Sequence, residues 1–343
     1  MAAPRSPAMP RMTTPRARLL LACCIAATAG SYSWWLEQRQ PAAIRDLSDV
    51  VYAAQAFTEG FDPYEVVGRS ERWAMPAPSL YPFTAILLFI PFVWVPGIWL
   101  HTAWVALGSG LLAWAVTRER LATPALMLFV SMPFLQAVQT TQWSPLLMAG
   151  ALLPWGGWLL ACKPTTAIWL FAYRPTWRIV SLVMALVTIS VLIWPAWPLS
   201  WLPNLREAPN AISALTLRGG ALVLLAVLKW RRPEARLLAA MACVPHTLLP
   251  YETLPLFLVP HTWPEACVLL AGTTLAVILH AVGGPYASPM EWVGASGVWT
   301  IWCVYLPCLV MVLRRPNVGD VPLIDALRQR QRIAATTSAD APR

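Results

Sequence analysis

Charge is scarce in this chain. Only 12% of its 343 residues are Asp, Glu, Lys or Arg, about half the roughly 25% of an average soluble domain. With 58% hydrophobic residues and a mean hydropathy of +0.56, too few polar side chains remain to cover an apolar core, which excludes an ordinary water-soluble globule. Lysine is nearly missing: Lys163 and Lys229 are the two among 25 basic residues. The basic residues sit at segment ends rather than along one stripe, so the net charge of +9 fits cytoplasmic loops and not a nucleic-acid surface. The seven cysteines (Cys23, Cys24, Cys162, Cys243, Cys267, Cys303 and Cys308) lie in apolar runs without a paired ligand cluster. Neither zinc nor a disulfide framework is indicated, and small buried hydrophobes are the expected role. GxGxxG, P-loop, HExxH and GxSxG patterns are absent. No repeat of 20 to 50 residues appears, which counts against an inverted-repeat transporter.

What remains is a series of apolar runs, rich in Trp (20) and Pro (33), residues at home at membrane interfaces and in membrane helices. Residues 1–18 hold Arg5, Arg11, Arg16 and Arg18 and read as a disordered basic cytoplasmic N-terminus. Residues 19–36 read as a first transmembrane helix ending in Trp34-Trp35; the competing reading is a signal peptide cleaved near Ala27-Thr28-Ala29. Further runs at 81–95, 98–116, 121–138, 145–162, 179–194, 212–228, 237–259, 266–282 and 292–312 are each roughly 15 to 23 residues, against the ~20 needed to cross a bilayer. Strict alternation does not reconcile them with the basic loops, and Pro245, Pro250 and Pro255 mark 237–259 as the run to break. The expected fold class is all-α, a polytopic bundle of about eight to eleven spans over 80–313. A polar cytoplasmic tail follows at 314–343.

Residues 37–79 form the one long polar stretch, placed outside the cytoplasm by the first helix. They carry seven of the 16 acidic residues: Glu37, Asp46, Asp49, Glu59, Asp62, Glu65 and Glu71. From Asp46 to Gly60 the spacing of Leu47, Val50, Val51, Ala54 and Phe57 gives one apolar face, an amphipathic helix suited to the membrane surface. Gly60 stops it, and Asp62-Pro63-Tyr64 reads as a turn. Asp46 and Asp49 at its N-terminal end are explained either by capping and the helix dipole or by a general base at the bilayer surface. Ala106 and Gly110, four apart, offer a small-residue packing edge.

Ionisable residues inside apolar runs need a partner or a task. Lys163 either snorkels from a cytoplasmic helix end or meets an anion. Arg218, before Gly219-Gly220, marks an interrupted helix or another anion contact. His246, between Pro245 and Thr247, reads as a hydrogen-bonded packing residue or a site residue. His101, His261 and His280 sit near segment ends without pattern. Arg69 and Arg72 beside Glu71 form a solvated mixed-charge patch or meet a phosphate at the surface.

Asp46 followed by Tyr52-Ala53-Ala54, then Gly60-x-Asp62-Pro63-Tyr64, then Tyr81-Pro82 opening an apolar helix, resembles the N-terminal signature of glycosyltransferase family 87. Thr141-Gln142-Trp143-Ser144-Pro145 followed by Lys163-Pro164, and Pro245-His246 followed by Tyr251-Glu252, are similar to later elements of that family. The resemblance touches residues 46–255. Two features depart from it: only 20 residues separate Gln142 from Lys163, and Glu252 stands where Asp is more usual. The resemblance implies a GT-C-type membrane bundle in the bacterial cytoplasmic membrane. Its donor would be a polyprenyl-phosphate sugar, with mannose a candidate, and its acceptor an extracytoplasmic glycan or glycolipid hydroxyl. It implies Asp46 as catalytic base, with Tyr64, Gln142, Lys163, Arg218, His246 and Glu252 as candidate donor-binding residues and no metal or cofactor. The alternatives are a transporter for a lipid-linked sugar and a non-catalytic descendant of the enzyme.

Overall fold

The computed structural model describes residues 14–41, 43–207, 211–286 and 289–325. The expectations placed on residues 1–13 and on the tail beyond 325 lie outside them. Among the described residues the chain is helical, and its one extended pairing is an isolated antiparallel bridge between Ile212 and His246.

Helix α1 runs over Pro15–Arg39, longer at both ends than the apolar run, because Thr14 accepts from the Ala17 amide (3.3 Å) and Pro15 fits the first turn. The outer loop supplies α2 (Asp46–Thr58) and the single turn α3 (Pro63–Val66). A short α4 (Phe83–Phe89) leads to α5 (Gly97–Val116). Then come α6 (Met132–Gln139), α7 (Ser144–Leu152), α8 (Pro164–Tyr173), α9 (Trp177–Ile193) and α10 (Trp197–Arg206). The C-terminal third holds α11 (Pro233–Cys243), α12 (Trp263–Gly283), α13 (Pro289–Thr300) and α14 (Leu306–Leu313); a π turn, Ile301–Tyr305, makes α13 and α14 one continuous rod.

Among the described residues four helices are long and apolar enough to cross a membrane, α1, α5, α12 and the α13–α14 rod, or five if α9 and α10, bent by 108°, count as one span. That is fewer than the eight to eleven expected from the apolar runs. Prolines divide several of the others: Pro82, Pro91 and Pro96 confine 81–95 to α4 and a 3₁₀ turn, and Pro154 and Pro164 cut the run at 145–162. The run at 237–259 breaks where its prolines predicted, with α11 ending at Cys243 and a buried 3₁₀ helix over Pro250–Leu258. At 1.5 Å per residue the ten-residue α8 reaches about 15 Å, half an apolar bilayer core. Large apolar side chains nevertheless face outward along the long helices, Leu20, Leu192 and Val282 among them.

The outer-loop helix α2 does not lie on a lipid surface by its apolar face. Leu47, Val50 and Ala54 are fully buried, and Phe57 meets Phe83 of α4 with ring centroids 4.7 Å apart. The loop is thereby folded onto the bundle. Asp62 caps α3 by accepting from the Tyr64 amide (2.8 Å), so the expected turn is a capped helical turn. Arg69 pairs with Glu207 (2.8 Å) and Arg72 with Glu59 (2.6 Å), so the expected mixed-charge patch is tied internally.

Helices α1 and α5 pack through small residues, as the Ala106/Gly110 spacing predicts. A Cβ on Gly110 would stand 3.0 Å from the Ala26 Cβ, and one on Gly30 3.1 Å from the Ala106 Cβ. At the far end, Glu234 gathers Arg232 (2.7 Å), Arg315 (2.9 Å) and His261 (3.3 Å), clasping the start of α11 to the end of α14 and the entry of α12. Replacing Gly110 with Val should separate α1 from α5 and cost about 1–3 kcal/mol, read as an earlier transition in denaturant titration of the micellar protein. Ala at Gly110 should cost less.

Candidate functional site

Four elements converge beside the N-terminus of α2. Asp46 is the first residue of that helix and Arg45 is its cap residue; no side chain caps it, so capping does not account for the Asp46 carboxylate. Instead Asp46 Oδ2 accepts a hydrogen bond from the Tyr81 hydroxyl and lies 3.7 Å from Lys163 Nζ. Lys163 donates in turn to the Tyr81 hydroxyl (3.3 Å) and to Gln142 Oε1 (3.2 Å). Tyr81 thus accepts from the ammonium and donates to the carboxylate. Among the described residues none donates to Asp46 Oδ1, and the side chain keeps 31% exposure, which leaves it free to meet another molecule.

The placement of Lys163 is not what helix stability favours. It occupies the cap position before α8, where the helix dipole opposes a cation. Its contact with Asp46 puts it at the same end of the bundle as the start of α2. Two aromatic rings flank its ammonium, Tyr81 at 5.5 Å and Tyr251 at 5.7 Å from the centroids. Tyr81 is fixed against Trp143 (5.6 Å), which packs edge-on to Trp104 (4.6 Å).

Gln142 is delivered by a tight turn between α6 and α7. Thr141 there has φ of 55°, a conformation costly for a β-branched residue. The turn's Thr140 carbonyl accepts from the Asp46 amide (3.0 Å), and the preceding Gln139 carbonyl accepts from Arg45 Nη1 (2.6 Å). One turn therefore holds both the start of α2 and the Lys163 acceptor.

The remaining expected site residues divide. Tyr64 stands behind the cluster, buried, donating to the Tyr81 carbonyl (3.1 Å); burial pushes its phenol well up, so it remains a donor. Glu252 is buried and accepts from Thr247 (2.8 Å); its neighbour Tyr251, not Glu252, reaches Lys163. His246 is a packing residue: Nδ1 must donate to the Val244 carbonyl (2.8 Å), leaving Nε2 to accept from Tyr305 (3.1 Å). Arg218 is exposed, with no hydrogen bond or ion pair among the described residues, and nothing joins it to the cluster. No group of three His, Cys, Asp or Glu among the described residues gathers as a metal site.

Two members escaped the sequence reading as site residues. Tyr81 entered it only as part of a motif. Asp49 was visible as the i+3 neighbour of Asp46. It is buried, its Oδ2 accepts from the Leu80 amide (3.4 Å), and its Oδ1 has no hydrogen bond among the described residues. Burial, with the nearby Asp46 charge adding, pushes Asp49 up to about 7.

Because the folded state holds this proton more tightly than an ordinary carboxyl, Asp49 supports folding fully below about pH 3.8 and loses that support as pH rises through about 7. Asp49→Asn should flatten the pH dependence across that window. Above pH 8 it should stabilise the protein by a few kcal/mol, since each tenfold change in proton affinity is worth roughly 1.4 kcal/mol. Unfolding titrations at pH 5 and pH 8 on both proteins check this; equal pH dependence in wild type and variant refutes it. Compared with known proteins, the chain matches no family model, and neither a curated protein nor a solved structure matches it.

Proposed function

We propose that this chain is a multi-pass cell-membrane glycosyltransferase of GT-C type, N-terminus in the cytoplasm, that moves a sugar from a polyprenyl-phosphate donor to an acceptor hydroxyl outside the cytoplasm. One observation carries the reading: an accessible carboxylate beside a cation, with the residues next in sequence to Tyr81 and Lys163 lining an apolar groove. Pro82, next to Tyr81, and Pro164, next to Lys163, both line a groove of about 450 Å³ that continues past Ala167, Phe171, Val183 and Met184. Its lining is almost wholly apolar, suited to a hydrocarbon chain. A lipid phosphate with its tail in this groove meets Lys163 as the nearest charge-assisted donor.

In the reaction, Asp46 takes the proton of the acceptor hydroxyl as that oxygen attacks the anomeric carbon. The bond from that carbon to the phosphate oxygen breaks with inversion, and the lipid phosphate leaves with the electron pair. Lys163 and the Tyr81 hydroxyl stabilise the charge that develops. Arg218, His246 and Glu252 have no part in this scheme.

The rival with an observation in its favour is a non-catalytic descendant, since Lys163 and Tyr81 already occupy one oxygen of Asp46. The two readings part on turnover. Purified protein in lipid nanodiscs, given a panel of radiolabelled polyprenyl-phosphate sugars and native lipid extract, should transfer sugar. Asp46→Asn should lower the rate by about 10²–10⁴-fold with expression and folding unchanged. Full activity in that variant refutes Asp46 as the base. Absence of transfer from every donor, with folded protein and competent extract, favours the non-catalytic rival.

A further inference from the structure

Helix α2 presents a second constellation on its other side. Ser48 stands two residues on from Asp46, about 200° around the helix, and looks away from the Lys163 cluster. Its hydroxyl lies 3.4 Å from His101 Nε2 on the first turns of α5. The other ring nitrogen, His101 Nδ1, lies 3.0 Å from Glu37 Oε1 near the end of α1. A carboxylate only accepts, so Nδ1 carries the hydrogen and Nε2 presents its lone pair to Ser48. Arg45 Nε donates to the same Glu37 oxygen (3.0 Å), which fixes the carboxylate that orients the ring. His101 and Glu37 are about nine-tenths buried as side chains.

These three residues share a cavity of about 550 Å³, whose wall also includes Tyr52, Ile44, Gly97 and Ile98. Gly97 and Ile98 open α5, and first-turn amides have no acceptor within their own helix. Gly97 and Ile98 thus bring amides without an intrahelical acceptor to the residues that line this cavity. The apolar Ile44 and Ile98 in the same lining suit an amphiphile.

We infer that Ser48, His101 and Glu37 form a nucleophile, base and orienting acid for acyl transfer from carboxylic esters of amphiphiles, in a site separate from that of Asp46. Ser48 Oγ attacks the ester carbonyl carbon, and its proton passes to His101 Nε2. The tetrahedral adduct collapses, the bond to the alcohol oxygen breaks, and the departing alcohol takes the proton from His101. Water, deprotonated by His101, then releases the acid from Ser48 and restores the hydroxyl.

The test uses the full chain in detergent micelles. A fluorophosphonate probe is added and the adduct located by peptide mass spectrometry, while p-nitrophenyl butyrate reports turnover. The expected result is an adduct on Ser48 in the wild-type protein, none in Ser48→Ala, and a labelling rate lowered about 100-fold or more in His101→Gln. Glu37→Gln, which keeps the shape of the acid, should slow labelling less. A wild-type protein that is not labelled, or is labelled only at another residue, overturns the proposal without reference to any variant. Labelling of Ser48 at an unchanged rate in folded His101→Gln overturns the assignment of His101 as base.

Discussion

An ammonium group set among apolar helices costs about 3 kcal/mol even on lenient insertion scales, and the arrangement around Lys163 is the answer to that cost. The carboxylate of Asp46, the phenol of Tyr81 and the amide of Gln142 come from three separate elements to surround one cation. Satisfying it draws the outer-loop helix down onto the bundle and fixes the α6–α7 turn. The aromatic stack of Tyr81, Trp143 and Trp104 supplies the rigid backing. Because the cation stands before α8, against the helix dipole, its position costs stability and is balanced by side chains rather than by the fold's own field.

Helix length is the second constraint. Prolines cut several apolar runs into pieces too short to cross a bilayer alone, and the pieces fold as short α-helices and 3₁₀ segments. The backbone groups freed at each break must find partners within the protein. Arg174 takes up the Leu152 carbonyl (2.5 Å), Asn204 the carbonyls of Tyr64 (3.1 Å) and Ser79 (3.0 Å), and Arg236 those of Ala172 (2.8 Å) and Tyr173 (3.1 Å). Polar side chains in this chain therefore act largely as terminators for interrupted helices.

Helix α2 joins these themes. Its apolar stripe is buried against the bundle, Asp46 turns toward Lys163 and Tyr81, and Ser48 turns toward His101 and a polar cavity. A single amphipathic turn presents oxygen chemistry in two directions because residues two apart on a helix face nearly opposite sides.

Composition and periodicity by themselves determined an all-helical, strongly apolar protein, the acidic loop, the amphipathic α2 and the break in 237–259, since each follows from local hydropathy, proline chemistry or helical spacing; which of the ten apolar runs would be long enough to span did not follow. Asp46 was legible as a candidate because it opens an amphipathic helix in a polar loop, and Gln142 and Lys163 were candidates because of a family resemblance. Which of them meet was decided by tertiary structure alone. Lys163 is 117 residues from Asp46 in sequence, and only packing shows that its charge meets the Asp46 carboxylate. The same holds for His101, which has no pattern in the sequence until α1, α2 and α5 bring Glu37 and Ser48 to its two nitrogens. Glu252, His246 and Arg218 show the converse. Residue type marked them as candidates, but their roles rest on which hydrogen-bond partners lie within about 3 Å, and no property of a residue or its immediate neighbours encodes that distance.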